Sequence, residues 1–455
     1  MTDTSAISVS GPRVRISTRK LVHMSMLIFA FLLPFLTWVE AAGCAVLALI
    51  FNVFILPRLE VDLGKRPGSG AEAKVWTGIV IYPISVLALI LFYRHSLYIV
   101  AAVWAIMALG DGMASIAGEA LRGPALPWNR GKTWTGFLGF LLAGTAGAYV
   151  LARWVNPQLP QARILLVCAA TALVGALVET VPIRLDDNAT VPLVCGAFMF
   201  CALLVERSAL DSNLPYLGRR VILAVAVNLV LALLARVLKM VTCSGAACGF
   251  GLGVAVYMGW GYKSFLLMLG FFVLGSLATR VGYQKKAARG VAELRGGARS
   301  WREALANSLA GAFFALLVIT SHHEAAFLLA VMAAFAEAAG DTISSEIGQW
   351  ISGRAYLITT FEPVPAGENG GVSLGGTAAG VAASALIVSL GLALGLCGKG
   401  SAVLALGAAV AGNLLDSVLG ATLERRGLVT NGIVNFAGTS FAGGVTLAAA
   451  LHLGL

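Results

Sequence analysis

Charge is what this sequence most lacks: Asp, Glu, Lys and Arg make up 12% of its 455 residues, about half the share of an ordinary soluble protein. That scarcity excludes a water-soluble globular enzyme, and it excludes a disordered acidic or basic chain. Cysteine is thin as well. The seven are scattered, mostly within apolar runs and with no CxxC pair, so the chain offers neither a zinc ribbon nor a disulfide framework, and Cys243 and Cys248 read as small packing residues. Histidine numbers five, and His322 and His323 read as a solvated turn rather than a metal site.

What is abundant is apolar. Hydrophobic residues reach 58% and fall into about fifteen segments long enough, or nearly so, to cross a bilayer core, the first near 21–39 and the last near 436–453. The expected fold is an all-α polytopic membrane protein of about 15 transmembrane helices in two related halves. A polar arm precedes the first span and another span follows it, so no cleavable signal peptide is expected. The net charge of +10 follows the topology. With the N-terminus cytoplasmic, most Lys and Arg fall in cytoplasmic loops, as positive-inside bias requires, and no nucleic-acid partner is implied; Arg207, Arg219 and Arg220 run against that count. Arg13, Arg15, Arg19 and Lys20 in the arm 1–20 suit an acidic lipid surface. The loop Arg58 to Lys74, with Pro67, Gly68 and Gly70, reads as a solvated connection.

The chemistry starts at LGDGMASIAGEALRGPALPWNRGKTWTG, Leu109 to Gly136. Asp111, Ser115 and Gly118 fall at i, i+4 and i+7 and share one helix face. A carboxylate at the end of a membrane span is costly unless it meets a metal, a cation or water. Beyond the helix, Asn129, Arg130, Lys132 and Thr133 bring an amide, two cations and a hydroxyl among glycines, a set suited to a nucleotide polyphosphate and its divalent metal. The next polar island, VETVPIRLDDNATVP, packs Glu179, Asp186, Asp187 and Asn188 between apolar runs. Oxygen ligands so close repel one another unless a cation or a proton separates them.

The pattern then returns. Gly340, Asp341, Ser345 and Gly348 repeat the spacing of Gly110, Asp111, Ser115 and Gly118, and Glu346 lies beside them. PVPAGENGGVSLGGT follows, where the backbone of Asn369, Gly370, Gly371 and Ser373 is free to turn its N–H groups toward phosphate. A third echo, NLLDSVLGA with Asp416 and TNGIVN with Asn431 and Asn435, parallels the Glu179 and Asp187 island. Three echoes in one order indicate an internal duplication. The segment 206–219, with Asp211, Asn213 and Pro215, reads as the linker between a domain at 21–205 and one at 220–455. Gly249, Gly251 and Gly253 alternate in a span where helix backbones could meet. Lys285, Lys286, Arg289, Arg295, Arg299 and Arg302 form the most basic loop, an anchor that also suits phosphate.

GDGMASIAG, LPWNRGKTWTG and VETVPIRLDDNATVPL resemble the phytol, dolichol and related polyprenol kinases, CTP-dependent enzymes related to the CDP-diacylglycerol synthases, over about residues 75–205. LGSLATRVGYQKK, GDTISSEIG, LITTFEPVPAGENGGVSLGGTAAG and NLLDSVLGATLERRG resemble the phytyl-phosphate kinases, whose relatives include the transmembrane protein 19 group. Glu368 departs from the second pattern, which commonly has threonine there. The two resemblances imply a fused, bifunctional kinase taking an isoprenoid alcohol (phytol, geranylgeraniol or farnesol) to its monophosphate and then its diphosphate, with CTP or another nucleoside triphosphate and Mg²⁺ or Mn²⁺. They imply Asp111, Glu179 and Asp186 as metal ligands in the first site, Asp187 as the group accepting the alcohol proton, and Ser115, Asn129, Arg130, Lys132, Thr133 and Asn188 around the nucleotide. In the second, Asp341, Asp416 and Glu346 would hold metal. Phosphates would lie against Lys285, Lys286 and Arg299, against Ser345 and Asn369 to Ser373, and against Asn431 and Asn435. Both sites are expected on the cytoplasmic side of a bacterial inner membrane. The alternatives are a CDP-lipid-forming cytidylyltransferase, which releases pyrophosphate, and an isoprenoid-phosphate transporter, since repeats and intramembrane acids are common there.

Overall fold

The computed structural model describes residues 23–59 and 72–455; the basic arm and residues 60–71 of the Arg58 to Lys74 loop lie outside the described residues. The chain is an integral membrane protein, and 11 helices among the described residues are long and apolar enough to cross a bilayer. It divides into two compact units, Met1–Leu203 and Leu204–Leu455.

In the first unit, helix α1 (Trp38–Ile50) opens on a capping box in which Thr37 and Glu40 satisfy each other's backbone N–H groups. Helix α2 (Glu72–Phe92) leads to α3 (Leu97–Ala105), whose run of apolar residues without glycine or proline is buried from Ile99 to Ala105. One π-helical turn, Ile106–Gly110, then joins α3 to α4 (Asp111–Leu121). Leu97–Leu121 is the most buried span of the unit, so Asp111 is carried on the central helix, directly after a turn whose wider pitch re-aims the residues that follow it. Helix α4 stops at Arg122, in the left-handed conformation at φ 43. Helices α5 (Trp134–Val155), α6 (Gln161–Thr180) and α7 (Asp187–Leu203) complete the unit.

The second unit starts with α8 (Arg207–Val237), an unbroken 31-residue helix, which corrects the reading of 206–219 as a linker. Several of its polar residues bond within the helix: Ser212 donates to the Ser208 carbonyl at 2.6 Å and Asn213 to the Ala209 carbonyl at 2.9 Å, while Arg207 pairs with Asp211 at 3.7 Å one turn on. Polarity there marks an exposed helix end, not a break. Helices α9 (Cys243–Trp260), α10 (Tyr262–Arg280), the short α11 (Tyr283–Ala288) and α12 (Trp301–Val318) follow. Gly249 and Gly251 meet nothing within 4 Å among the described residues, and only Gly253 abuts a neighbour, Asn228, so the alternating glycines are not a close helix crossing. Helix α13 (Glu324–Ile351) is the most buried span of this unit and carries Asp341.

The all-α expectation needs one amendment. After α13 the chain forms a three-stranded antiparallel sheet in the order β2-β1-β3, with β1 Arg354–Leu357, β2 Pro363–Pro365 and β3 Gly371–Val372. Its two prolines sit on the edge strand, where a missing N–H costs no ladder bond. Helix α14 (Leu374–Ala393), α15 (Lys399–Leu419), a π-helical turn Gly420–Glu424 and α16 (Asn431–His452) end the unit.

Candidate functional sites

In each unit the aspartate-bearing helix and the next long helix meet through the same backbone contact. Thr133 caps α5 by accepting from the Gly136 N–H at 3.1 Å, and Ser373 caps α14 by accepting from the Gly376 N–H at 3.2 Å. A Cβ on Gly136 would lie 2.9 Å from the Ala114 carbonyl oxygen, and one on Gly376 would lie 2.6 Å from that of Ser344. Likewise a Cβ on Gly118 would approach the Thr133 hydroxyl to 3.1 Å, and one on Gly348 the Ser373 hydroxyl to 3.0 Å. The glycines and the capping hydroxyls therefore hold each crossing shut. Thr133 and Ser373, expected to bind nucleotide, use their hydroxyl oxygens as helix caps.

In the first unit, Asp111 at the start of α4, Glu179 near the end of α6 and Asp187 at the start of α7 converge, with one carboxylate oxygen from each lying within 4.8 Å of the others. Asp186, expected as a metal ligand, is not in this cluster. Its Oδ1 accepts from the Asn188 backbone N–H at 3.0 Å at the start of α7, an N-terminal turn that aims the neighbouring Asp187 inward. Asn188 itself is buried beneath that turn.

The loop before α5 delivers a cation to the cluster. It closes on itself as a tight turn, with the Leu126 N–H donating to the Lys132 carbonyl at 2.9 Å and the Gly131 N–H to Asn129 Oδ1 at 3.1 Å. It is fastened to the end of α6 by Asn129 Nδ2, which donates to the Thr180 carbonyl at 3.0 Å, and by Trp128 Nε1, which donates to the Thr180 hydroxyl at 3.2 Å. Asn129 thus positions the loop, and Lys132 reaches down to pair with Glu179, which is only 4% exposed. Burial works against the lysine's charge, yet Glu179, with Asp187 and Asp111 behind it, holds its pKa above the ordinary value. Arg130 stays exposed at the tip, and Ser115 lies half-buried one turn along α4 from Asp111. His23, which the sequence did not single out, sits 3.8 Å from Asp111 and 3.3 Å from the Met107 carbonyl; it is distant in sequence and has no motif around it.

The second unit encloses a cavity of about 870 Å³. Asp341, Asp416, Glu346, Ser345, Asn431 and Asn435 all line it, as does the segment from Asn369 to Ser373. The N–H of Gly371 is taken by the Glu368 carbonyl at 2.9 Å, and Gly370, at φ 75, packs its Cα against Ala421 of the π-helical turn. Part of that backbone is therefore committed to holding the loop against α15. Glu368 pairs with Arg425 at 3.3 Å.

The expected cations are re-sorted. Lys285 is exposed away from the cavity, and Lys286 is wholly buried beneath it, donating to Glu346 and to the carbonyls of Ala278 and Thr279 at 3.3 and 3.0 Å. An ammonium has three N–H donors and all are used, so Lys286 is no phosphate ligand. Of the expected three only Arg299 lines the cavity, joined by Arg295 and Arg302. The Arg299 guanidinium stacks on Phe271 with its carbon 5.1 Å from the ring centre, and burial holds its pKa below the ordinary value.

Residues 226–445 match the model of the family described as integral membrane protein DUF92. An uncharacterized membrane protein of Synechocystis is 35% identical over 220 residues, covering 47% of this chain and 85% of that relative. The chain belongs to the DUF92 family of integral membrane proteins. The DUF92 match lies within the second unit and takes in every residue named above from Asp341 to Asn435. Two plant proteins are similar at greater distance: probable phytol kinase 3 of Glycine max, 30% identical over 38% of this chain and 59% of its own length, and farnesol kinase of Arabidopsis thaliana, 28% identical over 38% and 62%. This DUF92 chain therefore spans about 60% of the length of either kinase. No solved structure matches.

Proposed function

We propose that this DUF92 protein is a membrane kinase with two sites, the first phosphorylating an isoprenoid alcohol and the second converting the monophosphate to the diphosphate, with CTP as donor. The observation that carries the reading is the Asp111–Glu179–Asp187 cluster under the Lys132 loop, in a chain similar to proteins named phytol kinase and farnesol kinase. The repeated helix crossing supports descent of the two units from one ancestor, fused into one chain.

Three carboxylates converging beside one half-buried lysine fit a divalent ion, because the set keeps net negative charge and offers only oxygen ligands. Asp111, Glu179 and Asp187 would hold Mg²⁺, which when bound draws charge off the transferring phosphoryl group. Lys132 offsets the charge of Glu179 and faces the polyphosphate, with Arg130 above it at the loop tip. The Asp187 oxygen left over from that ligand set would accept the alcohol proton as the hydroxyl attacks, so the step leaves a protonated carboxyl, a phosphate ester and the nucleoside diphosphate. In the second unit the acceptor is already an anion and needs no base. Asp341 and Asp416 would hold the metal there, and Arg295, Arg299 and Arg302 steady the two sets of phosphates. The isoprenoid tail remains among the apolar helices while its head reaches the polar site, and the positive-inside count supports a cytoplasmic orientation for both sites.

Full-length protein incubated with geranylgeraniol, Mg²⁺ and CTP should yield monophosphate, diphosphate and CDP. Asp341→Ala should stop at the monophosphate, whereas Asp111→Ala should still convert added monophosphate. Normal diphosphate output from Asp341→Ala would refute the division of labour, and pyrophosphate in place of CDP would mark cytidylyl transfer instead.

A further inference from the structure

One carboxylate in the second unit has no place in the mechanism above. Glu337 lies on α13 one turn before Asp341, is 1% exposed, and has neither side-chain oxygen hydrogen-bonded among the described residues. It does not line the cavity; Asp341 and Asp416, which do, are the charged groups that act on it. The space it occupies is built by two glycines. A Cβ on Gly412 of α15 would lie 2.8 Å from the Glu337 Cγ, and one on Gly438 of α16 would collide with Glu337 Oε1.

Each of these helices places a polar group one turn nearer the cavity on the same face: Asp341 after Glu337, Asp416 after Gly412, and Asn435 before Gly438. Two of those groups carry further unanswered oxygens. Asp416 Oδ2 is buried without a hydrogen-bond partner among the described residues. Asn435, 9% exposed, donates its Nδ2 to Asn307 Oδ1 at 3.2 Å, which fixes the amide so that its buried Oδ1 is the unpartnered atom. Four buried oxygens, on three helices that meet around Glu337 and within one turn of it, thus have no donor among the described residues to answer them. In the first unit the corresponding position, four residues before Asp111, is the buried Met107.

The geometry points to a second divalent-cation site in this unit, beneath the cavity floor, with Glu337, Asp416 and Asn435 as its protein ligands. Oxygen donors with two carboxylates among them suit a hard ion such as Mg²⁺ or Mn²⁺. The site follows from unanswered oxygens, and it shares Asp416 with the metal proposed for the reaction above it.

Mn²⁺ counting by electron paramagnetic resonance on the purified full chain tests this. Glu337→Gln, nearly isosteric, and Glu337→Met, which copies the residue at 107, should each bind one Mn²⁺ fewer per chain than wild type. Saturating Mn²⁺ should raise the thermal midpoint of wild type more than that of either variant. Equal Mn²⁺ stoichiometry in wild type and Glu337→Gln would overturn the site and leave Glu337 a buried neutral acid. Should neither variant fold, the wild type alone decides, because two ions held this close give a spin-coupled signal and only isolated-ion signals would refute the pairing. The coupled signal rests on the Asp341 and Asp416 metal proposed above; the count lost with Glu337 does not.

Discussion

Lys286 separates the role expected from the sequence from the one the structure assigns, and Lys286→Met tests the difference. The side chain is 0% exposed and its partner Glu346 is 6% exposed. Removing the lysine leaves Glu346 charged and buried with its counter-ion gone, which costs about 3–5 kcal/mol for a pair of this kind. The same change removes a donor from the carbonyls of Ala278 and Thr279 at the end of α10, of which Ala278 keeps the Val281 N–H at 3.1 Å. For a unit of this size each kcal/mol moves the midpoint by about 2–4 °C, so the fall should be roughly 6–20 °C. Thermal unfolding of the detergent-solubilised protein reads it directly. Lys286→Met combined with Glu346→Leu should recover most of the loss, since an apolar pair of similar volume is often as stable as a buried ion pair. Were Lys286 a phosphate ligand, the single variant would keep its midpoint and raise the KM for nucleotide, and that result would refute the buried-strut assignment.

Asp186→Ala should lose about 0.5–2 kcal/mol of stability as a turn or cap residue does yet retain Mn²⁺ in the first unit, whereas Asp187→Ala should lose that ion; Mn²⁺ titration beside a thermal scan distinguishes them. Gly376→Ala pushes a methyl group against the Ser344 carbonyl oxygen, 2.6 Å from the new Cβ, and should cost about 1–3 kcal/mol. Gly444→Ala, with nothing within 4 Å among the described residues, should be neutral or stabilising by up to about 1 kcal/mol, because alanine is the better helix former. Chelation with EDTA should abolish phosphorylation of both alcohol and monophosphate, and added Mg²⁺ should restore it; activity that survives chelation would exclude the carboxylate assignments.

The membrane class was legible because apolar runs of spanning length have few other uses, and Asp111 and Asp341 stood out because a carboxylate there is costly. What stayed hidden depended on direction. Asp186 and Asp187 are adjacent and chemically alike, and only the turn at the start of α7 decides that the first accepts a backbone N–H and the second faces Glu179. Lys286 lies in a run of cations, so charge counting groups it with the others, although one turn of α11 carries it under α10 and onto Glu346. The stretch 206–219 read as a linker because polar residues and a proline usually mark a break, yet here Ser212 and Asn213 bond back to their own helix. His23 and Glu337 carry no motif, and only tertiary packing gives them neighbours.

The repeat itself shows what each unit needs and what it is free to vary. Both retain a glycine where a Cβ would strike the partner helix's carbonyl, Gly136 and Gly376, and a hydroxyl cap three residues earlier, Thr133 and Ser373. Together they set how closely the aspartate's helix approaches the loop. The cations do vary. In the first unit Lys132, on the loop between the two helices, supplies the positive charge at the carboxylates, whereas in the second the arginines lining the cavity come from the segment between α11 and α12 and from the first turn of α12. A crossing fixed by backbone contact tolerates little change, while a charge need only arrive within a few ångströms and can come from another element. The spacing of aspartate, serine and glycine is therefore the part of the repeated geometry readable in the sequence, and the source of the positive charge is the part that is not.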